Sequence, residues 1–270
     1  MPDAGLTLEA WLPRLAGLLE ECVELWELRL AEPYAPGAAG YAVRAELPDG
    51  TPAVLKLSNP HRESLQEADA LERWDGDGAV RLLARDDARH AMLLERCEPG
   101  TFLSESADAL DVLVGLLPRL WKGADGFHTL ADEAAWWADS IARDVRDRRL
   151  RDAALHYIRE LAPTQGEQVL LHQDLHGDNV LAARREPWLV IDPKPLAGER
   201  ELSAASIVRS DELGHGRREV LHRLDRLTAE LGLDRERALG WTVAQTVAWS
   251  AGDDYVPAHV EAVGWLLESA

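Results

Sequence analysis

Cysteine and long apolar runs are scarce in this chain, and each scarcity excludes a class of protein. The 270 residues contain only two cysteines, Cys22 and Cys97, far apart in sequence, which argues against a disulfide framework and suits a reducing compartment. No apolar run reaches the roughly 18 residues that a membrane-spanning helix needs. The chain also opens without a basic stretch followed by an apolar one, which argues against a signal peptide. We therefore expect a cytoplasmic protein that has no membrane partner.

Basic residues are also in deficit, because 29 lysines and arginines stand against 48 aspartates and glutamates, for a net charge of −19. Nucleic acids and anionic membranes attract basic surfaces, so this balance argues against either as a partner. The charge is compatible with a small cationic substrate. However, 18 of the acidic residues lie in residues 1–97 and the others follow, so a general solubility effect explains the charge about as well.

The pattern of apolar residues changes near Cys97. Short strand-like runs dominate before it and helical spacing dominates after it, which predicts an α+β protein with two lobes. We assign residues 1–97 to a small mixed β/α lobe and residues 98–270 to a larger helical lobe. Strands are predicted near residues 41–47, 52–57, 79–84 and 90–95; helices are predicted near residues 6–31, 58–74, 104–121, 130–161, 201–231 and 235–269.

Residues 169–195 carry the pattern that bears most on function. Two apolar runs, residues 169–171 and 188–191, flank a polar loop and are typical of short buried strands. The loop contains Asp174 and Asn179, and Asp192 follows the second run directly. In protein kinases the base aspartate and a metal-binding asparagine stand five residues apart, and a second metal-binding aspartate follows. The spacing therefore predicts phosphoryl transfer, with Asp174 as the base and Asn179 and Asp192 as magnesium ligands.

The flanking residues extend this pattern to a known family. The string His172-x-Asp174-x-His176-x-x-Asn179-Val180-Leu181 resembles the Brenner motif of aminoglycoside phosphotransferases and related small-molecule kinases. The string Ile191-Asp192-Pro193-Lys194-Pro195-Leu196-x-Gly198 resembles the branch with streptomycin 6-kinases and hydroxyurea phosphotransferases. The resemblance runs from about Ala38 to about Arg209, and more loosely to the C-terminus.

The resemblance implies a two-lobed protein-kinase-like fold, with ATP and Mg²⁺ as cofactors. It also implies that His172 supports the loop, and we take His176 as mainly structural. The family usually carries an aspartate where Ser203 stands, and that residue is expected to support the loop geometry.

Lysine is rare, with three residues against 26 arginines, so the lysine in the apolar run 53–57 is informative. A charge inside an apolar strand must reach solvent or a partner. In the kinase layout a strand lysine holds the α- and β-phosphates and pairs with a glutamate of the next helix. Lys56 takes that role here, with Glu67 preferred over Glu63 as the partner because Ala68 and Leu71 place Glu67 beside the packed side.

Two further segments are predicted to serve the nucleotide. The resemblance makes Glu95–Cys97 the hinge between the lobes, where the main chain meets the adenine edge. Small residues in the turn 36–40 would let main-chain amides approach the phosphates. The alternative is that these residues simply form a turn and have no role in phosphate binding.

The acceptor is the least determined part of the prediction. The branch resemblance favours a streptomycin-like aminoglycoside, a polycation whose site would be walled by carboxylates. Two acidic pairs in the helical lobe qualify, although a helix cap or a solvated turn is the commoner explanation for either pair taken alone: Asp211 with Glu212, and Asp253 with Asp254. Hydroxyurea or another small hydroxylated metabolite is the alternative acceptor, and a non-catalytic nucleotide-binding protein of the same fold is the alternative function. We expect a monomer or a weak dimer.

Overall fold

The computed structural model describes residues 11–35 and 40–269. The chain forms two compact units, one made of Met1–Thr101 with Leu181–Lys194 and the other of Phe102–Val180 with Pro195–Ala270. The first unit holds a five-stranded sheet and the second is mostly helical, so the predicted α+β class is confirmed. The units differ from the predicted lobes in one respect, because the segment 181–194 groups with the first unit although it follows Cys97 in sequence.

The sheet of the first unit is antiparallel throughout and has the strand order β1-β2-β3-β5-β4. Its strands are β1 (Arg29–Pro33), β2 (Gly40–Glu46), β3 (Pro52–Ser58), β4 (Leu82–Asp86) and β5 (Ala91–Glu95). The predicted hairpin turn between β2 and β3 is present, and Gly50 N donates to Leu47 O at 2.9 Å. Leu55, Leu57 and Leu93 are fully buried in the core under this sheet.

The helix that precedes the sheet is shorter than the predicted helix over residues 6–31. Helix α1 spans Leu15–Trp26 and ends because Glu27 adopts a left-handed conformation with φ 51°. The chain then turns into β1, an exposed strand that pairs with β2, so the predicted helix was wrong beyond Trp26. The earlier part of that prediction, residues 6–10, lies outside the described residues.

Helix α2 (Glu67–Trp74) begins later than predicted. Pro60 and a capping residue at Ser58 or Asn59 predict a helix from that point, but Ser58 is the last residue of β3. The Ser64 hydroxyl donates to the main-chain carbonyls of Asn59 and His61, both at 3.1 Å, and these bonds hold the intervening residues in turns. A local side-chain bond of this kind competes with the helix for the same main-chain groups.

The segment 181–194 belongs to the first unit because its main chain is bonded there. It carries a hairpin of β7 (Val180–Ala182) and β8 (Trp188–Val190). Val190 exchanges main-chain bonds with two residues near β4: Val80 N donates to Val190 O at 3.0 Å, and Val190 N donates to Gly78 O at 2.9 Å. Gly100 N donates to Ala182 O at 3.0 Å. These bonds keep Asp192, which follows β8, with the first unit.

The second unit is built from helices that begin at side-chain caps where the sequence provides them. Thr129, Asp147 and Asp234 each accept main-chain N–H groups at a helix start. The helices are α3 (Ala109–Leu120), α4 (Leu130–Asp144), α5 (Arg148–Leu161), α6 (Ala204–Arg209), α7 (Arg217–Leu231), α8 (Arg235–Ser250) and α9 (Pro257–Leu267).

Helix α8 is the central element of the second unit, because it packs against α4, α5, α6, α7 and α9. Most of its side chains are buried, including Trp241 and Gln245. Strands β6 (Gln168–Leu171) and β9 (Leu196–Glu199) form an antiparallel pair in the same unit. Within residues 11–35 and 40–269, no helix combines the length and apolar character that crossing a membrane requires.

Candidate active site

Lys56 lies in the middle of β3, opposite Ala42 on β2 and Met92 on β5. Its Nζ donates to Glu67 Oε1 at 2.5 Å, so of the two glutamates considered as partners it is Glu67 that makes the contact. The same ammonium also contacts the Asp192 carboxylate. The side chain of Lys56 is 15% exposed and that of Glu67 only 3%. The first unit therefore brings three predicted residues together around one buried charge.

The electrostatics of this cluster keep the lysine charged. Burial by itself lowers the pKa of Lys56, but the negative charges of Glu67 and Asp192 outweigh burial and the pKa is raised. Asp192 has a left-handed main-chain conformation with φ 56°, which aspartate tolerates better than most residues. Its side chain is 53% exposed, so one face of the carboxylate remains accessible to solvent.

The predicted hinge residues have side chains engaged in the first unit. The Glu95 carboxylate accepts from the Arg185 guanidinium at 2.9 Å and from Arg81 N at 3.1 Å. Burial opposes these interactions, but the hydrogen bonds prevail and the pKa of Glu95 is lowered. Burial raises the pKa of the Cys97 thiol to about 12, so this side chain is neutral. Of the turn 36–40, which was predicted to approach phosphates, residues 36–39 lie outside the described residues.

In the second unit the loop after β6 holds the predicted base. Gln173 adopts φ 66°, a left-handed conformation directly before Asp174. Asp174 N donates to His172 Nδ1 at 3.3 Å, and His172 is 3% exposed, so this histidine supports the loop. Asn179 lies in a short 3-10 helix, Gly177–Asn179, that follows the loop. Its Nδ2 donates to the main-chain carbonyl of Asp174 at 2.8 Å.

Arg209 holds the Asp174 carboxylate, and sequence reasoning missed it. Its Nη2 donates to Asp174 Oδ1 at 3.2 Å, while its Nη1 donates to the buried side chain of Gln245. Gln245 Nε2 in turn donates to Gln173 O at 3.0 Å, so one network fixes both Asp174 and the residue before it. The guanidinium also lies over the Trp249 ring, 4.9 Å from its centroid.

A signal for Arg209 is present in the sequence. Arg209 follows the apolar pair Ile207-Val208 at the end of the stretch that resembles the family. A charge at the end of an apolar run needs a partner when it is buried.

The four acidic residues predicted to bind substrate fall in different surroundings. The Glu212 carboxylate accepts from Gly177 N at 3.1 Å and lies 3.3 Å from His176 Nδ1, so it contacts the loop of Asp174. Asp211 is exposed, and its charge is close enough to influence the pKa of His259, as are the charges of Asp174 and Arg209.

The second acidic pair lies elsewhere in this unit. Asp253 and Asp254 are exposed in the turn after α8, and the charge of Asp253 acts on Arg143. Of the four acidic residues, Glu212 is the one that bonds to the loop of Asp174, and Asp211 precedes it in sequence with an exposed side chain.

Ser203, which stands where the family usually has aspartate, is buried and accepts a hydrogen bond from Trp121 Nε1 at 3.0 Å. A cavity of about 10 Å³ adjoins it and is also lined by His172, Gln173 and Ser206. This volume is about the minimum that a single water molecule occupies. The loop of Asp174 thus keeps its geometry through Arg209 and His172, with a small cavity beside the shorter serine side chain.

Solved structures define the class to which this fold belongs. Choline kinase LicA from Streptococcus pneumoniae superposes with a TM-score of 0.68 at 15% identity, covering 94% of this chain and 98% of that chain. A thermostable mutant of aminoglycoside phosphotransferase APH(4)-Ia superposes with a TM-score of 0.64 at 15% identity, covering 93% and 99%. The fold is therefore the protein-kinase-like fold that these small-molecule kinases share.

The sequence comparisons narrow the class to a family. The family model for aminoglycoside/hydroxyurea antibiotic resistance kinases matches residues 33–254, and the chain belongs to this family. A streptomycin 6-kinase of Streptomyces glaucescens is 40% identical over 264 residues, covering 91% of this chain and 86% of that protein. A hydroxyurea phosphotransferase of Kitasatospora aureofaciens is 40% identical over 262 residues, covering 90% and 75%. The predicted resemblance to this branch is confirmed.

Proposed function

We propose that this protein transfers the γ-phosphoryl group of ATP to a hydroxyl group of streptomycin or a closely related aminoglycoside, in a magnesium-dependent reaction. The observation that carries the proposal is the loop of the second unit. It holds the Asp174 carboxylate against the buried Arg209, and it carries Asn179 at the spacing of a kinase metal ligand. The names of the 40%-identical relatives support the choice of acceptor.

The side chains of the first unit suit the nucleotide. We assign Lys56 to the α- and β-phosphates, with Glu67 orienting its ammonium group. The main chain of Glu95–Cys97 would meet the adenine edge, because the Glu95 side chain is already bonded to Arg185. Neighbours of the same fold include LicA in complex with AMP and a spectinomycin phosphotransferase in complex with ADP, which supports a nucleotide as the donor.

Asn179 and Asp192 fit magnesium by their chemistry. Magnesium takes oxygen ligands and needs only one or two of them from protein when phosphates and water supply the others. The NH₂ group of Asn179 donates a hydrogen bond to the main-chain carbonyl of Asp174, which leaves the side-chain oxygen of Asn179 to bind the metal. Asp192 offers an accessible carboxylate. When bound, magnesium would neutralise charge on the phosphates and align them for transfer.

Asp174 is the residue that would act on the acceptor. A carboxylate within hydrogen-bond reach of the acceptor hydroxyl orients it and takes its proton. The acceptor oxygen then forms its bond to the γ-phosphorus as the bond between that phosphorus and the oxygen that leaves with ADP breaks. The bond from Arg209 and the network through Gln245 hold the carboxylate in one orientation. Good orientation is the main contribution that a protein makes in this reaction.

The exposed Asp211 supports a cationic acceptor. It directly precedes Glu212, which bonds to the loop of Asp174, and opposite charges across a binding site steer and orient a polycation. Hydroxyurea, the substrate named for one 40%-identical relative, is the second candidate, but this small neutral molecule gains little from a carboxylate.

The test is a coupled ADP-release assay with streptomycin, other aminoglycosides, hydroxyurea and amino sugars as acceptors. We expect release with streptomycin and magnesium, near-complete loss in Asp174→Ala, and a higher KM for streptomycin but not for ATP in Asp211→Asn. Mass spectrometry of the product would confirm a single phosphate on the acceptor.

The outcomes of this assay test the identity of the acceptor separately from the phosphotransfer reaction. Release with hydroxyurea or a neutral metabolite and with no aminoglycoside would overturn the acceptor and leave the phosphotransfer reaction standing. Full turnover by Asp174→Ala would overturn the assignment of the base. Nucleotide binding with no turnover on any acceptor would favour the non-catalytic alternative.

A further inference from the structure

We infer that Arg223 is a positioning residue for the phosphotransfer reaction, because it fixes the main chain on both sides of the segment 209–212, whose side chains hold the loop of Asp174. The inference rests on the proposed function, since it takes Asp174 as the base. It extends that function to helix α7, which carries Arg223 and which the proposed site does not otherwise use.

Arg223 is a buried cation with no part in the proposed chemistry. It lies on the buried face of α7 with Val220, Leu224 and Leu227, and only 2% of the residue is exposed. Burying a charge is costly unless the charge is paired or hydrogen-bonded. The groups that accept hydrogen bonds from its guanidinium therefore determine what this residue does.

The guanidinium of Arg223 donates to main-chain carbonyls at two places. On one side, Nε and Nη2 both donate to Val208 O, at 3.2 and 2.9 Å. On the other side, Nη1 donates to Leu213 O at 3.1 Å and to Gly214 O at 2.7 Å. Because the guanidinium is planar and its donors point in fixed directions, one side chain holds the two places relative to each other. The segment 209–212 lies between them.

This segment contacts the loop of Asp174 through its first and last side chains. Arg209 Nη2 donates to Asp174 Oδ1 at 3.2 Å, and the Glu212 carboxylate accepts from Gly177 N at 3.1 Å. The carbonyls described above include those of the residues directly before and directly after the segment. A shift of the main chain at either end would therefore move a side chain that holds the loop.

The connection between α6 and α7 has little regular structure of its own. Residues 210–216, all of which the structure describes, form neither helix nor strand. Gly214 with φ 100° and Gly216 with φ 145° adopt conformations that other residues rarely take. Gly214 N donates to Asp211 O at 3.0 Å and closes a turn. The bonds from Arg223 attach this turn to α7.

Two simpler roles for Arg223 make different predictions. Burial lowers the pKa of Arg223, and the negative charges of Glu212, Glu219 and Asp211 oppose that effect. If the cation served only to balance these carboxylates, Arg223→Lys would keep full activity. If Arg223 only stabilised the fold, the variant would lose stability and keep its kcat. Positioning predicts a lower kcat, because lysine carries its donors on one nitrogen and lacks the planar fork.

Arg237 in α8 provides the matched control. Its guanidinium also joins two places in the second unit, since Nη2 donates to the main-chain oxygen of Thr164 at 3.1 Å and to the Glu199 carboxylate at 2.8 Å. Both partners lie outside the segment 209–212 and outside the loop of Asp174. Arg237→Lys should therefore lower the midpoint of thermal unfolding and leave kcat unchanged.

The first measurement is steady-state kinetics with streptomycin, or with the acceptor of the panel that is turned over, at a temperature where every variant is folded. We expect Arg223→Lys to lower kcat by about 10-fold or more with KM for ATP unchanged, and Arg237→Lys to match wild type. In an Arg209→Met background, the further loss caused by Arg223→Lys should shrink to about 3-fold or less, because effects that act through one residue are not additive.

The second measurement does not depend on turnover. Crystal structures of the two lysine variants should differ at the base. In Arg223→Lys the contact between Arg209 and Asp174 should be lost or split between two orientations, whereas Arg237→Lys should keep it. If Arg223→Lys does not fold, Arg223→Gln replaces it in both measurements, because glutamine can bond to only one of the two places.

The outcomes distinguish this inference from the proposed function. If wild type phosphorylates no acceptor, the proposed function fails and the crystal structures alone decide whether Arg223 positions the loop. A kcat for Arg223→Lys equal to that of wild type or of Arg237→Lys overturns the inference and leaves the proposed function standing. An additive loss in the Arg209→Met background overturns it as well, and so does an unchanged contact between Arg209 and Asp174. If the double variant does not fold, the single variants and the crystal structures decide.

Discussion

Arg209 brings a full positive charge into the interior of the second unit, where its partners determine the cost of removing it. The side chain is 5% exposed and donates to Asp174 and Gln245. Removing one member of a buried charged pair leaves the other without compensation, so Arg209→Met should lower the free energy of unfolding by about 3 kcal/mol. Because Asp174 also loses its orientation, we expect kcat to fall on the order of 100-fold while KM for ATP changes little.

Steady-state kinetics and urea unfolding check both parts of this prediction. Arg226→Gln is the control, because Arg226 forms surface ion pairs with Asp111 and Glu230 in the same unit. Such pairs contribute about 1 kcal/mol or less. A kcat for Arg209→Met as high as that of the control would show that Arg209 does not orient Asp174.

Gly177 allows the loop of Asp174 to pass close to the main chain of Ser104. A Cβ added at Gly177 would lie 2.9 Å from the nitrogen and Cα of Ser104, which is closer than carbon and main-chain atoms approach. Gly177→Ala must therefore displace main chain, and we expect a loss of about 1–3 kcal/mol in the free energy of unfolding. Chemical denaturation measures this loss.

The matched control is Gly115→Ala in α3, where an added Cβ meets nothing within 4 Å. Alanine is the better helix former by about 1 kcal/mol, so this variant should be stabilised or unchanged. Equal stability of the two variants would contradict the close approach at Gly177.

At the scale of elements, Arg185 ties the hairpin before Asp192 to the rest of the first unit. Its guanidinium donates to Gly76 O at 2.7 Å, to Ala79 O at 2.9 Å and to the Glu95 carboxylate. The position of the segment that carries Asp192 thus depends in part on the bond between Arg185 and Glu95. The strength of this bond changes with pH, because the Glu95 carboxylate accepts hydrogen bonds from Arg185 most strongly when it is ionised.

This bond predicts how stability depends on pH. The pKa of Glu95 is lower in the folded than in the unfolded protein, so the unfolded state takes up protons first as the solution is acidified. The stability difference between wild type and Glu95→Gln should therefore be fully present above the unfolded value of about 4.3 and should disappear as pH falls through the lower folded value. Denaturant titrations at neutral pH and near pH 3 measure it.

Glu72→Gln is the control for this prediction, because Glu72 is exposed and its ion pair with Arg85, at 3.3 Å, lies on the surface. A stability difference between wild type and Glu95→Gln that persists unchanged at acidic pH would show that ionisation of Glu95 does not strengthen its interaction with Arg185.

At the scale of the whole molecule, ligand binding should stabilise the protein by mass action. A ligand that binds only the folded state at about 100 times its Kd adds about 2.7 kcal/mol. We expect ADP with magnesium to raise the midpoint of thermal unfolding and EDTA to remove most of the increase. In Asp192→Ala the magnesium-dependent part of this rise in the unfolding midpoint should be absent. If EDTA lowered the midpoint of this variant as much as that of wild type, the assignment of Asp192 as a metal ligand would be contradicted.

The net charge of −19 leads to a second prediction at this scale. A negative surface attracts a polycation over distances of about a Debye length, which shrinks from about 10 Å at 0.1 M salt to about 3 Å at 1 M. With streptomycin as acceptor, kcat/KM should fall as salt is raised. Hydroxyurea is the neutral control if it is turned over. A flat salt profile for streptomycin would show that the acidic surface does not steer it.

The sequence alone was sufficient for features that depend on local spacing. The fold class and family followed from the short apolar runs and the motif around Asp174, because strand periodicity and loop spacing are written directly in the order of residues. The pairing of Lys56 with a glutamate on the following helix was predicted from the kinase layout that the motif had indicated. Local pattern predicted the wrong helix boundaries at two places. The first predicted helix ends before Glu27, which adopts a left-handed conformation. Helix α2 begins after Ser64, whose hydroxyl bonds to the main chain before it.

Only the tertiary structure determined the contacts between residues distant in sequence. Arg209 meets Asp174 across 35 positions, and Glu212 meets Gly177 across the same separation. The hairpin 181–194 joins the first unit through main-chain bonds to residues about 100 positions earlier. Which of several acidic residues reaches the loop depends on how α6 and the chain after it pack, and no spacing rule records that packing. The motif thus identifies the chemistry, whereas the packed fold determines which side chains hold it in place.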